Sequence, residues 1–165
     1  MDSTASRPSA MRIPVVFGVA ALVVLVDQLT KLWAVSALPG RAPVSLLGDF
    51  IQLRLLYNSG AAFSIGAGST WIFTIVTAVA VVVLVRFAMR PSSSLQGAAL
   101  ALLLGGAVTH LLDRLFRAPG FAQGHVVDFI DYNGWFVGNI ADVALTVGAV
   151  LLVVSSTKSS RSDED

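Results

Sequence analysis

Two aspartates in apolar surroundings are the residues of this sequence best suited to chemistry. Asp142 sits in GWFVGNIADVALTVGAVLLVV, residues 134–154, which otherwise reads as a membrane-spanning helix. Asp128 sits in the preceding apolar stretch HVVDFI. An ionisable side chain at the centre of a bilayer helix costs about 2.5–3.5 kcal/mol on insertion scales, so it is expected to be paired, to line a cavity or to do chemistry. Asp142 has no cation within one helical turn, and Asn139, three residues earlier, is placed to donate to its carboxylate. Two carboxyls brought together cannot both ionise cheaply, so one keeps a proton and the other stays charged. Such a pair holds an acid and a base that activate water against an amide without a metal or a covalent intermediate. The plainer alternatives are an Asp142 that hydrogen-bonds a neighbouring helix and an Asp128 solvated on a short surface strand.

Positioning those carboxyls requires membrane helices. Hydrophobic residues make up 55% of the 165-residue chain and charged residues 13%, against about 25% charged in a soluble domain. The mean hydropathy is +0.78. A span needs about 20 apolar residues, and the segments that qualify are 13–38, 71–89, 95–115 and 135–154. One membrane domain over 13–155 is expected, with polar tails at 1–12 and 156–165 read as disordered. Arg12 before the first apolar run and the small residues of AVSA also fit a signal peptide, but the run continues past Asp27 and Lys31 to Leu38 and further spans follow.

Arg7, Arg12, Arg86, Arg90, Lys158 and Arg161 fall on the side of the termini, against Arg41, Arg54, Arg114 and Arg117 on the other, which places the termini in the cytoplasm. With that orientation Asp27, Lys31, Asp113, Arg114 and Asp142 all lie in the outer half, Asp142 about 10 Å below the outer end of its span at 1.5 Å per residue. Asp27 and Lys31, four apart, share a helix face and can pair, or Lys31 can reach outward to a substrate or headgroup. Asp113 and Arg114 are adjacent and each needs another partner.

The outer connections supply accessory elements. In FIQLRLLYNSGAAFSIGAG the alternation Ile51, Leu53, Leu55, Tyr57 is a half-buried strand pattern. Asn58 offers donor and acceptor groups, and the small residues from Ser59 and Gly60 onward permit tight turns and close approach of another chain. The chain has no cysteine and two histidines, which excludes disulfides, thiol nucleophiles and cysteine metal sites. The net charge of +1 points to no nucleic acid.

DQLTK (Asp27–Lys31), NSGAAF (Asn58–Phe63), GGAVTHLLDR (Gly105–Arg114), VVDFI (Val126–Ile130) and NIAD (Asn139–Asp142), in that order, resemble a lipoprotein signal peptidase, or signal peptidase II, over residues 13–155. The resemblance implies an all-α membrane protein with four transmembrane helices and a small β-sheet and loop helix on the outer membrane surface. It implies an intramembrane aspartyl endopeptidase of the bacterial inner membrane that cuts a prolipoprotein before a diacylglyceryl-modified cysteine. The catalytic pair then falls on Asp128 and Asp142. Supporting positions fall on Asp27, Lys31, Asn58, Gly60, His110, Asp113, Arg114, Asn139 and Ala141. No metal or other cofactor is implied. The expected partners are the lipid-modified precursor and membrane lipid, with the chain a monomer.

Thr109-His110 stand where the family usually has Gly-Asn, and Gly138 stands where it usually has Phe, with Phe136 two residues earlier. His110 can replace the asparagine as a donor or bring a pH-dependent charge. A divergent, low-activity paralogue is therefore one alternative. A transport protein with a polar cavity is another, although the inner half of each span is almost purely apolar. His110–Asp113 and His125–Asp128, both His-x-x-Asp, would be the ligands of a metal enzyme, but no H-E-x-x-H helix is present.

Overall fold

The computed structural model describes residues 11–60 and 70–162, with side chains as far as Lys158. Its elements in chain order are α1 (Ile13–Ala37), β1 (Val44–Leu47), β2 (Ile51–Asn58), α2 (Thr70–Ala88), α3 (Ser94–Phe116), β3 (Val126–Tyr132), β4 (Phe136–Gly138) and α4 (Ile140–Ser162). All four helices are long and apolar enough to cross a membrane. The strands form one antiparallel sheet in the order β1-β2-β3-β4. It is sewn from the two connections that leave the same end of the bundle, α1 to α2 and α3 to α4.

α3 is the central helix, packed against α1, α2 and α4. Its sequence explains why. A Cβ on Gly105 would lie 2.7 Å from Val23 Cβ and 2.8 Å from the Ala20 carbonyl on α1, and one on Gly106 would lie 2.6 Å from Leu145 Cγ on α4. Small residues let membrane helices approach closely where there is no hydrophobic drive to do so. At the end away from the sheet the interior is apolar, built of Val16, Ala20, Ala88, Leu100, Ala101 and Leu104. At the sheet end it is polar: Asp27, Lys31, Thr109, Asp113, Arg114, Asp128 and Asn139 are all buried.

The alternation in β2 is observed, with Leu53 and Leu55 packing toward Ala34, Leu38 and Phe129. It breaks at Tyr57, which is half exposed, because the pairing with β3 slips between Leu53 and Leu56. The loop helix expected on the outer surface is not among the described residues, and Ala61–Phe63 of NSGAAF also lie outside them.

Three boundaries differ from the sequence reading. The fourth span begins at Ile140, not 135, because Phe136–Gly138 pairs with β3 and Asn133 and Gly134, both at positive φ, close the hairpin. α4 runs on to Ser162, so residues 156–162 are helical, not an irregular tail; Ser156 and Thr157 turn their hydroxyls back onto carbonyls of the preceding turn. At the other terminus residues 1–10 lie outside the described set. Arg12 is the N-cap position of α1, and Met11 packs on the apolar core.

Candidate active site

β3 carries Asp128 into the interior by strand alternation. Val126 and Asp128 face a cavity of about 210 Å³, while Phe129 points the other way, edge-on to Trp33 of α1 at 6.3 Å. α4 carries Asp142 into the same cavity from its first turn. Asp142 is thus two residues into its helix, where the sequence reading had set it about 10 Å down the span. Across the bundle, His110 Nε2 on α3 lies 3.2 Å from Asp142 Oδ1. Asn58, Gly60, Arg114 and Phe136 complete the lining.

Asn139 joins the two aspartates. It caps α4: its Oδ1 accepts the Asp142 N–H at 3.1 Å, and its own N–H donates to Asp142 Oδ2 at 2.9 Å, a reciprocal capping box. Its side-chain amide, free of that duty, donates to Asp128 Oδ1 at 2.6 Å and to the Val127 carbonyl at 3.3 Å. The expected side-chain donation from Asn139 to Asp142 is therefore made by the backbone instead. Asn58 supplies the second donor to Asp128, Nδ2 to Oδ2 at 3.0 Å, and its Oδ1 accepts the Gly60 N–H at 3.1 Å, which fixes the amide's orientation. Asp128 is 2% exposed. Burial pushes its carboxyl up to about 6; the Asn58 amide opposes this, the Asp142 charge adds to it, and Asn139 and His110 oppose it.

Behind the pair lies a buried ionic lattice. The Lys31 ammonium is 2.7 Å from Asp27 Oδ2 and 2.7 Å from Asp113 Oδ2. The second oxygen of Asp27 accepts the Ala141 N–H at 2.9 Å, one residue before Asp142. Asp113 Oδ2 also accepts the Val127 N–H at 3.3 Å, one residue before Asp128. Each aspartate of the pair is thus held through its predecessor's backbone by a carboxylate, and Lys31 ties the two carboxylates together. Lys31, with none of its surface exposed, does not reach outward to a substrate.

Arg114 is the partner that NSG requires. Its guanidinium donates to the carbonyls of Asn58, Gly60 and Gly124, at 3.1, 2.5 and 3.2 Å, and stacks over Phe73. Backbone carbonyls of the α1–α2 connection and of the α3–β3 connection are thus the partners that Arg114 was expected to need. Arg54 pairs across the sheet with Asp131 at 3.1 Å and stays half exposed.

Two residues of the lattice, Gln28 and Arg117, were not singled out as site residues from the sequence, and Thr109 was marked only as a departure from the family pattern. Gln28 donates to Thr109 Oγ1 at 2.7 Å and to Asp113 Oδ1 at 3.0 Å, Arg117 donates to Asp113 Oδ1 at 2.6 Å, and the Thr109 hydroxyl donates to Asp27 at 2.5 Å. The i, i+4 spacing of Asp113 and Arg117 was the available signal; nothing in the sequence marked Gln28. At Gly138 a Cβ would lie 2.6 Å from the Phe136 ring and 2.8 Å from Asp142 Oδ2. The aromatic from two residues earlier thus covers this position, and only glycine fits beneath it.

The family model for signal peptidase (SPase) II matches residues 19–158. The lipoprotein signal peptidase of Rhodococcus jostii is 48% identical over 139 residues, 84% of this chain and 70% of that one. That of Mycobacterium tuberculosis H37Rv is 43% identical over 145 residues, 88% of this chain and 72% of that one. A solved structure of a bacterial membrane enzyme superposes with a TM-score of 0.80 at 29% identity, covering 93% of each chain.

Proposed function

The chain belongs to the signal peptidase II family, multi-pass bacterial membrane peptidases that remove the signal peptide of lipoprotein precursors, and we propose that it does so as an aspartyl peptidase with Asp128 and Asp142 as the catalytic pair. The observation that carries this reading is the pair itself: two carboxyls on different elements, facing one cavity and bridged by Asn139.

The pair shares one proton. Burial biases it toward Asp128, which leaves Asp142, the more exposed carboxyl, to act as the base. Water between them loses a proton to Asp142 as its oxygen attacks the scissile carbonyl, and Asp128 gives its proton to the carbonyl oxygen. The tetrahedral intermediate then collapses: the proton on Asp142 passes to the leaving amine, and Asp128 recovers its own. The amides of Asn58 and Asn139 hold Asp128 and the α4 cap holds Asp142, so geometry is set before the substrate arrives. Asn58 and Gly60 form the rim over which the peptide passes.

The substrate class is a prolipoprotein whose diacylglyceryl-modified cysteine follows the cut, its acyl chains in lipid beside the sheet. The termini are cytoplasmic and the pair faces the outer leaflet. A transport role is not favoured, since the buried polar groups stop at the sheet end and the other end of the bundle is apolar.

A gel-shift assay on the purified protein with a diacylglyceryl-modified prolipoprotein tests the mechanism. Asp128→Asn and Asp142→Asn should each abolish cleavage while the variants still insert and fold; substantial turnover by either sinks the aspartyl pair. Orientation is tested separately. The chain has no cysteine, so a single one at Ser92, between α2 and α3, should label only from the cytoplasmic side, and one at Gln123, between α3 and β3, only from outside. The opposite pattern moves the site to the inner face.

A further inference from the structure

We propose that Phe136 is a specificity-determining residue: its ring is the partition between the catalytic cavity and an apolar groove along α4, and it decides how large a side chain the substrate can carry on the residue whose carbonyl is attacked. The inference rests on the reading of Asp128 and Asp142 as the catalytic pair, and adds the wall that faces the substrate beside Asp142.

Two cavities meet at Asp142. The first, about 210 Å³, holds both carboxyls, with Asn58, Gly60 and Arg114 among its walls. The second, about 380 Å³, is a groove between Tyr132, Val143, Thr146 and Val147, on a face of α4 where both valines are exposed. Phe136 and Asp142 line both. The ring of Phe136 is held from two sides. Phe136 is the cross-strand partner of Tyr132 in the β3–β4 hairpin, and the two rings stack at 6.1 Å and 25°. Beneath the ring Gly138 has no side chain; a Cβ there would lie 2.6 Å from Phe136 Cε1 and 2.8 Å from Asp142 Oδ2. The ring therefore fills the space that a side chain at 138 would take, directly beside the Asp142 carboxyl.

The substrate must place a side chain in this corner. The carbonyl carbon that water attacks lies at the two carboxyls, and the side chain of the residue that owns it begins two bonds away. That side chain shares the 210 Å³ cavity with the water and the peptide. The other walls are fixed. Asn58 Nδ2 donates to Asp128, and Arg114 is engaged by three carbonyls. Arg114 and Val126 are both buried, so protein lies behind them, whereas the open groove lies behind Phe136. One methylene more or less in a closed pocket changes the rate constant for a substrate by about 10–200-fold. The wall with open space behind it is the position at which selection by size is set.

The test measures kcat/KM of the full-length enzyme in detergent for diacylglyceryl-modified prolipoproteins that differ only in the residue before the modified cysteine, alanine in one and leucine in the other. The ratio of the two is read, so a general loss of activity cancels. The parent should favour alanine. Phe136→Ala joins the two cavities and should lower the ratio about tenfold; Phe136→Leu, which keeps part of the wall, should lower it less, and decides alone if the Ala variant does not fold. Thr146 lines the groove one helical turn below Asp142. Thr146→Phe added to Phe136→Ala should bring the ratio back toward the parent's, because a ring then fills the groove from its far side. A parent without preference, or a ratio that the Phe136 variants leave unchanged, overturns the proposal and makes Phe136 a packing residue of the hairpin. A ratio that Thr146→Phe does not raise again overturns the groove as the space gained. Complete inactivity of both folded Phe136 variants also overturns it, since a wall takes no part in the proton transfers. Asp128→Asn and Asp142→Asn run alongside: if either cleaves, the catalytic assignment itself fails, whatever the Phe136 variants do.

Discussion

The side-chain amide of Asn139 donates to Asp128 at 2.6 Å while its backbone N–H donates to Asp142 at 2.9 Å. One residue between a strand and a helix therefore sets the relation of the two carboxyls. The arrangement works because Asn139 is an N-cap. The side-chain oxygen is committed to the first turn of α4, which leaves the NH₂ pointing back at β3.

Asn139 can be dissected accordingly. Asn139→Asp keeps an N-cap acceptor but puts a third carboxylate beside the pair and removes the donor to Asp128. Asn139→Ala removes cap and donor together. Loss of the cap alone costs about 1 kcal/mol, whereas loss of a preorganised donor in an active site costs about 10²–10³ in rate. The Asp variant should therefore remain near parental in thermal stability in detergent yet be as inactive as the Ala variant. An Asp variant with more than a tenth of parental kcat would show that Asn139 matters only as a cap.

Lys31 makes a second test. Its ammonium joins Asp27 and Asp113, whose other contacts reach the N–H groups of Ala141 and Val127. Removing one member of a buried ionic cluster strands the rest, at about 3–5 kcal/mol. Lys31→Met should lower the unfolding midpoint and reduce activity without touching the cavity. Adding Asp113→Asn, which removes one stranded charge, should restore part of the stability, a coupling a double-mutant cycle reads directly. Strictly additive losses would mean that the lattice does not act as a unit.

The contrast between the lattice and the hairpin explains what the sequence revealed. Four spans, the pair Asp128 and Asp142, and the Asp27–Lys31 contact were all legible, because charges stand out in apolar helices and i, i+4 spacing is local. The start of α4 was misread although Asn133-Gly134 is a strong hairpin signal. The apolar run from Trp135 onward outweighed it, since a strand of three apolar residues leading into a helix has no periodicity of its own. Asn139's divided duty and the tie from Lys31 to Asp113 depend on which helices touch. That contact map was hidden in the two glycines of GGAVTH, readable as close packing but not as close packing against α1 on one side and α4 on the other.

The proton on the pair gives the last prediction. Burial holds the Asp128 carboxyl up to about 6 against an ordinary 3.8, so the acid of the pair is present below about 6 and lost above it. The alkaline limb of kcat/KM, which reports the free enzyme, should begin near that value, falling about tenfold per unit beyond it when a single proton is required. Asn58 donates to Asp128 Oδ2 and so favours the ionised form. Asn58→Ala removes that influence. The carboxyl should then keep its proton to higher pH, and the limb should move up by about one unit, the equivalent of about 1.4 kcal/mol for one hydrogen bond to a charged group. Its maximal rate should fall at the same time, because Asn58 also orders Gly60 at the rim. The two effects are separable: the position of the limb reads the carboxyl, and the plateau reads the rim. A limb that stays in place, or moves down, would remove Asp128 as the group whose proton the reaction uses and leave Asn58 with the rim alone.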